Sequence, residues 1–253
     1  MRRHLSVFGL WVRCSLYKIL VVIAIMGLAE YMLFYFTMKN GLSVYEATQT
    51  FARPENIIDT SGIFVCFAVA FLIITALISV YGCQFGAKTG YTLQRLSISE
   101  KYVFLYQCVY NLTIYILLWS SQVILCFLML REYTVHAPTE FWGEQSIYLA
   151  FYRSTRLHAL LPLSDVTMWV RNALLLVCLA LVTAEFPYLQ RRGKKSFTVV
   201  ALALYTVALW KQDITPIGSM VSMVFVAIVV LSAVCYQLFL KEDTNGDNQD
   251  VDY

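Results

Sequence analysis

The sequence predicts an all-α, polytopic membrane protein with six transmembrane helices and both termini in the cytoplasm. Three observations predict it. The chain of 253 residues is 59% hydrophobic and only 14% charged, whereas soluble domains sit nearer half apolar and a quarter charged. The mean hydropathy is +0.65, and the apolar residues fall in runs too long for a buried core helix. Finally, the 19 lysines and arginines are unevenly divided between alternate connecting segments. No charged block is long enough for a second domain. The net charge of +3 is too weak to argue for a nucleic-acid partner.

Residues 1–18 form a basic amphipathic segment with Arg2, Arg3, Arg13 and Lys18 among Leu5, Phe8, Leu10 and Trp11. It reads either as a helix on the cytoplasmic membrane face or as the basic flank of the first span. The first apolar run is span-length and lacks a small-residue cleavage site, so no cleavable signal is expected. Residues 19–240 form the membrane domain. Span one covers residues 19–37, a polar loop with Pro54 follows over 38–60, and span two covers 61–81. Residues 82–101 form a cytoplasmic loop, and span three runs from just after Ser97 to Leu130. At ~1.5 Å per residue that is longer than the bilayer, so its first turns stand in the cytoplasm.

Residues 131–165 form the longest outer loop, with a helix expected over 144–157 on the outer membrane face and broken by Pro162. Ser164 or Asp165 caps span four, residues 166–186. Pro187 and the cluster Arg191, Arg192, Lys194 and Lys195 end it. Span five is short, residues 196–210, and a tight turn leads to Pro216 at the first position of span six, residues 217–240. The acidic tail, 241–253, lacks apolar residues to bury and is expected to be disordered.

Orientation follows from the basic residues. With the N-terminus inside, Arg2, Arg3, Arg13, Lys18, Lys88, Arg95, Lys101, Arg191, Arg192, Lys194, Lys195 and Lys241 lie in the cytoplasm. Only Lys39, Arg53, Arg131, Arg153, Arg156 and Lys211 lie outside. That is the positive-inside bias.

The segment 88–111 organises the chain. Gly86 and Gly90 loosen the backbone where span two ends. Ser97 stands three residues before Glu100, the spacing of a capping box, so a helix starts there. Between them lies a short piece with Tyr91, Leu93, Arg95 and Leu96. The pattern Gly-x-Thr-Leu-x-Arg-Leu-Ser-Ile-Ser-x-Lys over residues 90–101, read with some slack, resembles the loop between the second and third spans of ABC-2 type transporter permeases. The motif is degenerate and covers 12 of the 253 residues. Ser97 replaces the family's proline, and no Gly-Lys follows. The long outer loop also follows span three here, whereas the family elaborates the segment between spans five and six. The resemblance implies a six-span export subunit without ATPase chemistry of its own, dimerising as a homo- or hetero-dimer of permease subunits. It implies a separate ABC ATPase subunit as partner, docked on Tyr91, Leu93, Arg95, Leu96 and Ser97. A bacterial inner membrane suits the composition. The alternative is a non-transporting membrane scaffold, immunity or sensor protein.

Few residues carry candidate chemistry. Glu30 lies inside span one, and an intramembrane carboxyl is costly and often functional. Arg171 lies near the outer end of span four, so the two are expected either to pair across the bundle or to stand apart, with Arg171 snorkelling outward and Glu30 protonated or facing water. Gln107 and Asn111 share one face of span three, with Gln122 further on. Such residues join helices more often than they line a pathway. His158 with Arg153 and Arg156 offers either an anion-attracting cluster or a solvated interfacial face. The seven cysteines form no CxxC pair and the three histidines have no ligand spacing, so no metal site and no cofactor are expected. Gly193-Lys194-Lys195-Ser196 lacks the upstream glycine of a phosphate loop. No nucleophile–base set argues for catalysis.

Overall fold

A computed structural model describes residues 2–48, 51–81, 100–138, 143, 145–191, 196–211 and 216–235. Every regular element among them is helical: α1 (Arg2–Thr48), α2 (Pro54–Thr60), α3 (Ile63–Tyr81), α4 (Glu100–His136), α5 (Ser146–Arg153), α6 (Thr155–Leu160), α7 (Val166–Arg191), α8 (Thr198–Lys211) and α9 (Pro216–Cys235). Five of these are long and apolar enough to cross a membrane: α1, α3, α4, α7 and α9. Large apolar side chains such as Leu28, Val65, Ile124, Val221 and Phe225 are exposed along them. Faces of that kind are expected against lipid, not water.

The bundle is tied together by α4, which packs against α1, α3, α5 and α7, and by α7, which packs against α3, α4, α8 and α9. Ser15 meets Tyr110, and Glu30 meets Gln122, so α1 and α4 run parallel. Thr75 meets Tyr115 and Ile63 is buried in one cluster with Met129 and Leu130, so α3 runs the other way. Asn111 meets Thr183 and Phe104 meets Tyr188, which makes α7 antiparallel to α4. Arg171 reaches Ser219, and Tyr188 and Leu189 pack near Val234, so α7 and α9 are parallel. A central core of Met26, Phe71, Ile74, Tyr115, Leu118, Leu179 and Met223 holds these helices together.

The element boundaries correct the sequence reading in several places. Residues 1–18 do not form a separate surface helix: α1 is continuous from Arg2 to Thr48, about 70 Å at ~1.5 Å per residue. It also absorbs much of the loop expected over 38–60. The reason is a second core at the distal end, where α1 and α4 finish. Phe34, Met38, Ile58, Met129, Tyr133, Phe151 and Leu157 are buried there. Phe51 stacks on Tyr133 with ring centroids 5.6 Å apart, and the Tyr133 hydroxyl donates to the Ala52 carbonyl at 3.1 Å. This cap gives the ends of both long helices something to bury against.

The helix expected over 144–157 is split at Ser154, which caps α6 by accepting from the Leu157 amide at 3.2 Å. The same hydroxyl donates to the Asp59 carboxylate at 3.1 Å, and Arg156 Nη1 donates to the Asp59 carbonyl at 3.2 Å. Pro187 does not end span four; it lies inside α7. Ala184 before it and Tyr188 and Leu189 after it are buried in one cluster with Phe104 and Val234, so packing holds the helix across the missing donor. Pro216 opens α9, as its first-turn chemistry predicts. The region of span five is α8, a helix of 14 residues, about 21 Å long. The 241–253 tail and the turn after Lys211 lie outside the described residues.

Candidate functional site

The chemistry of this chain is concentrated on one stripe of α4. Gln107, Asn111, Tyr115, Leu118 and Gln122 recur at helical spacing, so they share a face. All five are buried. Asn111, Tyr115 and Gln122 each meet a different neighbour. Asn111 Nδ2 donates to Thr183 Oγ1 on α7 at 3.0 Å, and Thr183 Oγ1 donates in turn to the Leu179 carbonyl at 2.6 Å. The Tyr115 hydroxyl donates to Thr75 Oγ1 on α3 at 3.1 Å. Gln122 Nε2 donates to Glu30 Oε2 on α1 at 2.9 Å. Gln107 is buried and its Oε1 accepts nothing. In a medium without water such bonds fix which helix faces meet.

Glu30 and Arg171 do not pair. Glu30 is 0% exposed and bonded to Gln122, while Arg171 is 6% exposed and bonded elsewhere. Arg171 Nε and Nη2 donate to Asn172 Oδ1 at 3.2 and 3.0 Å, and Nη1 donates to Ser219 Oγ on α9 at 3.3 Å. The Asn172 amide donates onward to the Ala159 carbonyl at 3.0 Å. Nor does Arg171 snorkel out. The cause is the packing order: α1 lies against α3 and α4, α7 lies against α4 and α9, and Gln122 of α4 reaches Glu30.

The distal cluster of basic residues is also dispersed. Arg153 lies 3.7 Å from Glu55, Arg156 lies over the Phe64 ring at 5.6 Å, and His158 Nε2 is 3.3 Å from Asp165 Oδ2. Each is engaged within the cap, so they do not converge on a common anion site. Among the described residues, no three His, Cys, Asp or Glu side chains cluster closely enough to hold a metal.

Sequence reasoning overlooked Glu185, a second carboxyl buried within α7, and Asn172, the platform for Arg171. The acid in an apolar run was a sufficient signal for the first. Nothing local distinguishes Asn172. Tyr91, Leu93, Arg95, Leu96 and Ser97, and with them the Ser97–Glu100 capping box, lie outside the described residues.

No known protein family, curated protein or solved structure matches this chain. What the fold and its interior define is a class: a multi-pass α-helical membrane protein in which α4 carries a buried polar stripe.

Proposed function

We propose that this chain is the membrane-spanning, permease-like subunit of an ABC-2-type export system in a bacterial inner membrane, driven by a separate ATPase. It has six crossings with both ends cytoplasmic, works as a dimer of permease subunits, and has no catalytic residues of its own. The observation that carries the reading is the position of α4. This helix begins at Glu100, at the end of the 90–101 motif, and packs against α1, α3, α5 and α7. A displacement at its foot reaches four other elements, which is what a coupling loop requires. The parallel arrangement of α7 and α9 supports the crossing count. If both span the membrane, α8 must return the chain between them. The positive-inside bias supports the orientation.

The test is a pull-down of the tagged full-length protein from its native host, wild type beside Arg95→Glu with Leu93→Asp. Co-purification of an ATPase with the wild type, lost in the double variant, is the expected result. A well-folded wild type that brings down no ATPase would overturn the reading. The polar residues of α4 mostly bond to neighbouring helices, not to an open passage. That favours the second reading, a membrane scaffold, immunity or sensor protein that moves nothing.

A further inference from the structure

Charge spacing along α1 marks where the distal membrane surface falls. No lysine or arginine stands between Lys18 and Lys39. That interval is about 31 Å at ~1.5 Å per residue, which matches the ~30 Å hydrocarbon core of a bilayer. Lys39 therefore stands at the distal headgroup level. The Glu30–Gln122 hydrogen bond joins residues 92 apart on the parallel helices α1 and α4. The same register sets Arg131 level with Lys39.

A groove of about 340 Å³ crosses that level, lined by Leu125, Leu128, Arg131, Glu132 and Val135 of α4 and by Tyr31 of α1, among others. Leu125, Leu128 and Tyr31 stand on its membrane side, and Leu128 and Tyr31 are exposed, so the groove opens towards lipid. Arg131 is exposed, and among the described residues its guanidinium forms no hydrogen bond or ion pair. Glu132 has one basic neighbour within ion-pair reach among them, His136, whose Nδ1 is 3.5 Å from Oε2. A cation and an anion thus line one groove without pairing with each other. Their complement is a phosphate for the guanidinium and an ammonium with N–H donors for the carboxylate. A phosphoethanolamine headgroup carries both, with acyl chains to cover the apolar side.

We propose that this α1–α4 groove binds a phospholipid with an ethanolamine headgroup. The phosphate rests on Arg131, the ammonium on Glu132, and an acyl chain lies along Leu125, Leu128 and Tyr31. The site depends neither on an ATPase partner nor on export.

The test uses the full-length protein, delipidated in detergent, titrated with palmitoyl-oleoyl lipids and read by native mass spectrometry. One phosphatidylethanolamine should be held about tenfold more tightly than phosphatidylcholine, whose quaternary ammonium has no N–H, or phosphatidylglycerol, which has no cation. Glu132→Gln should abolish that preference, and Arg131→Gln should weaken all three lipids. Both side chains are at the surface, so these neutral variants keep the fold. Lys39→Gln removes a cation at the same level but outside the groove, and should change nothing. Equal retention of the three lipids by the wild type would overturn the proposal. So would an unchanged preference in Glu132→Gln. Equal weakening by Lys39→Gln and Arg131→Gln would reduce the effect to general interfacial charge and overturn it too. Disulfide cross-linking between copies through Leu128→Cys, in a chain otherwise free of cysteine, would place a second copy on the groove and reject the lipid.

Discussion

Gln122 is the hydrogen-bond partner of Glu30. Its amide is the one donor the structure gives that carboxyl, and it comes from a helix 92 residues further along the chain. Replacing it by leucine leaves the acid buried without a donor. Gln122→Leu should therefore cost about 1–3 kcal/mol, read as a lowered unfolding midpoint in detergent. Leucine at both Glu30 and Gln122 should recover much of that loss, because no orphaned polar atom remains. If the double variant is no better than the single, the pair does not act as a unit. Asn111→Leu removes the bond to Thr183 and should cost about 0.6–2 kcal/mol, the range for interhelical bonds in membranes. The residues were legible in the sequence: an acid and three amides in apolar runs stand out. Their pairings were not. Which of Arg171 and Gln122 meets Glu30 depends on helix order and stagger, and neither is written in local spacing.

Helix lengths and breaks were less legible than helix positions. The five long spans follow from apolar run length, because a bilayer imposes a minimum that sequence displays directly. The cap does not. The extension of α1 to Thr48 depends on Phe34 and Met38 meeting Ile58, Met129 and Phe151 from distant parts of the chain. Ser154, read as helix interior, instead ends one short helix and begins the next. Ser154→Ala removes the cap of α6 and its contact with Asp59. It should cost about 1 kcal/mol and increase proteolytic cleavage within residues 146–160. Pro187 is the converse case. Because α7 already continues across it, Pro187→Ala should leave the fold intact and its midpoint unchanged or raised. A large loss would mean that the proline sets a bend the bundle needs.

At the scale of the whole molecule, the consequence is topology. With every native cysteine replaced, a cysteine at Asn40, exposed near the distal end of α1, should react with a membrane-impermeant maleimide added outside intact cells. A protease site after Tyr253 should be cut only after permeabilisation. A tail cut in intact cells would mean that α8 does not cross and that the spans number five. The chain by itself determined that this is a helical membrane protein, where its long spans lie and which polar residues are anomalous within them. Those properties are local sums of side-chain transfer energy, and each stretch carries its own. Only the tertiary structure decided that α4 and α7 tie the bundle together, that α1 and α4 continue into a distal cap, and that Glu30 belongs to Gln122 while Arg171 belongs to Asn172 and Ser219. Contacts between helices depend on order, direction and stagger, and these are fixed by the packing of the whole set at once.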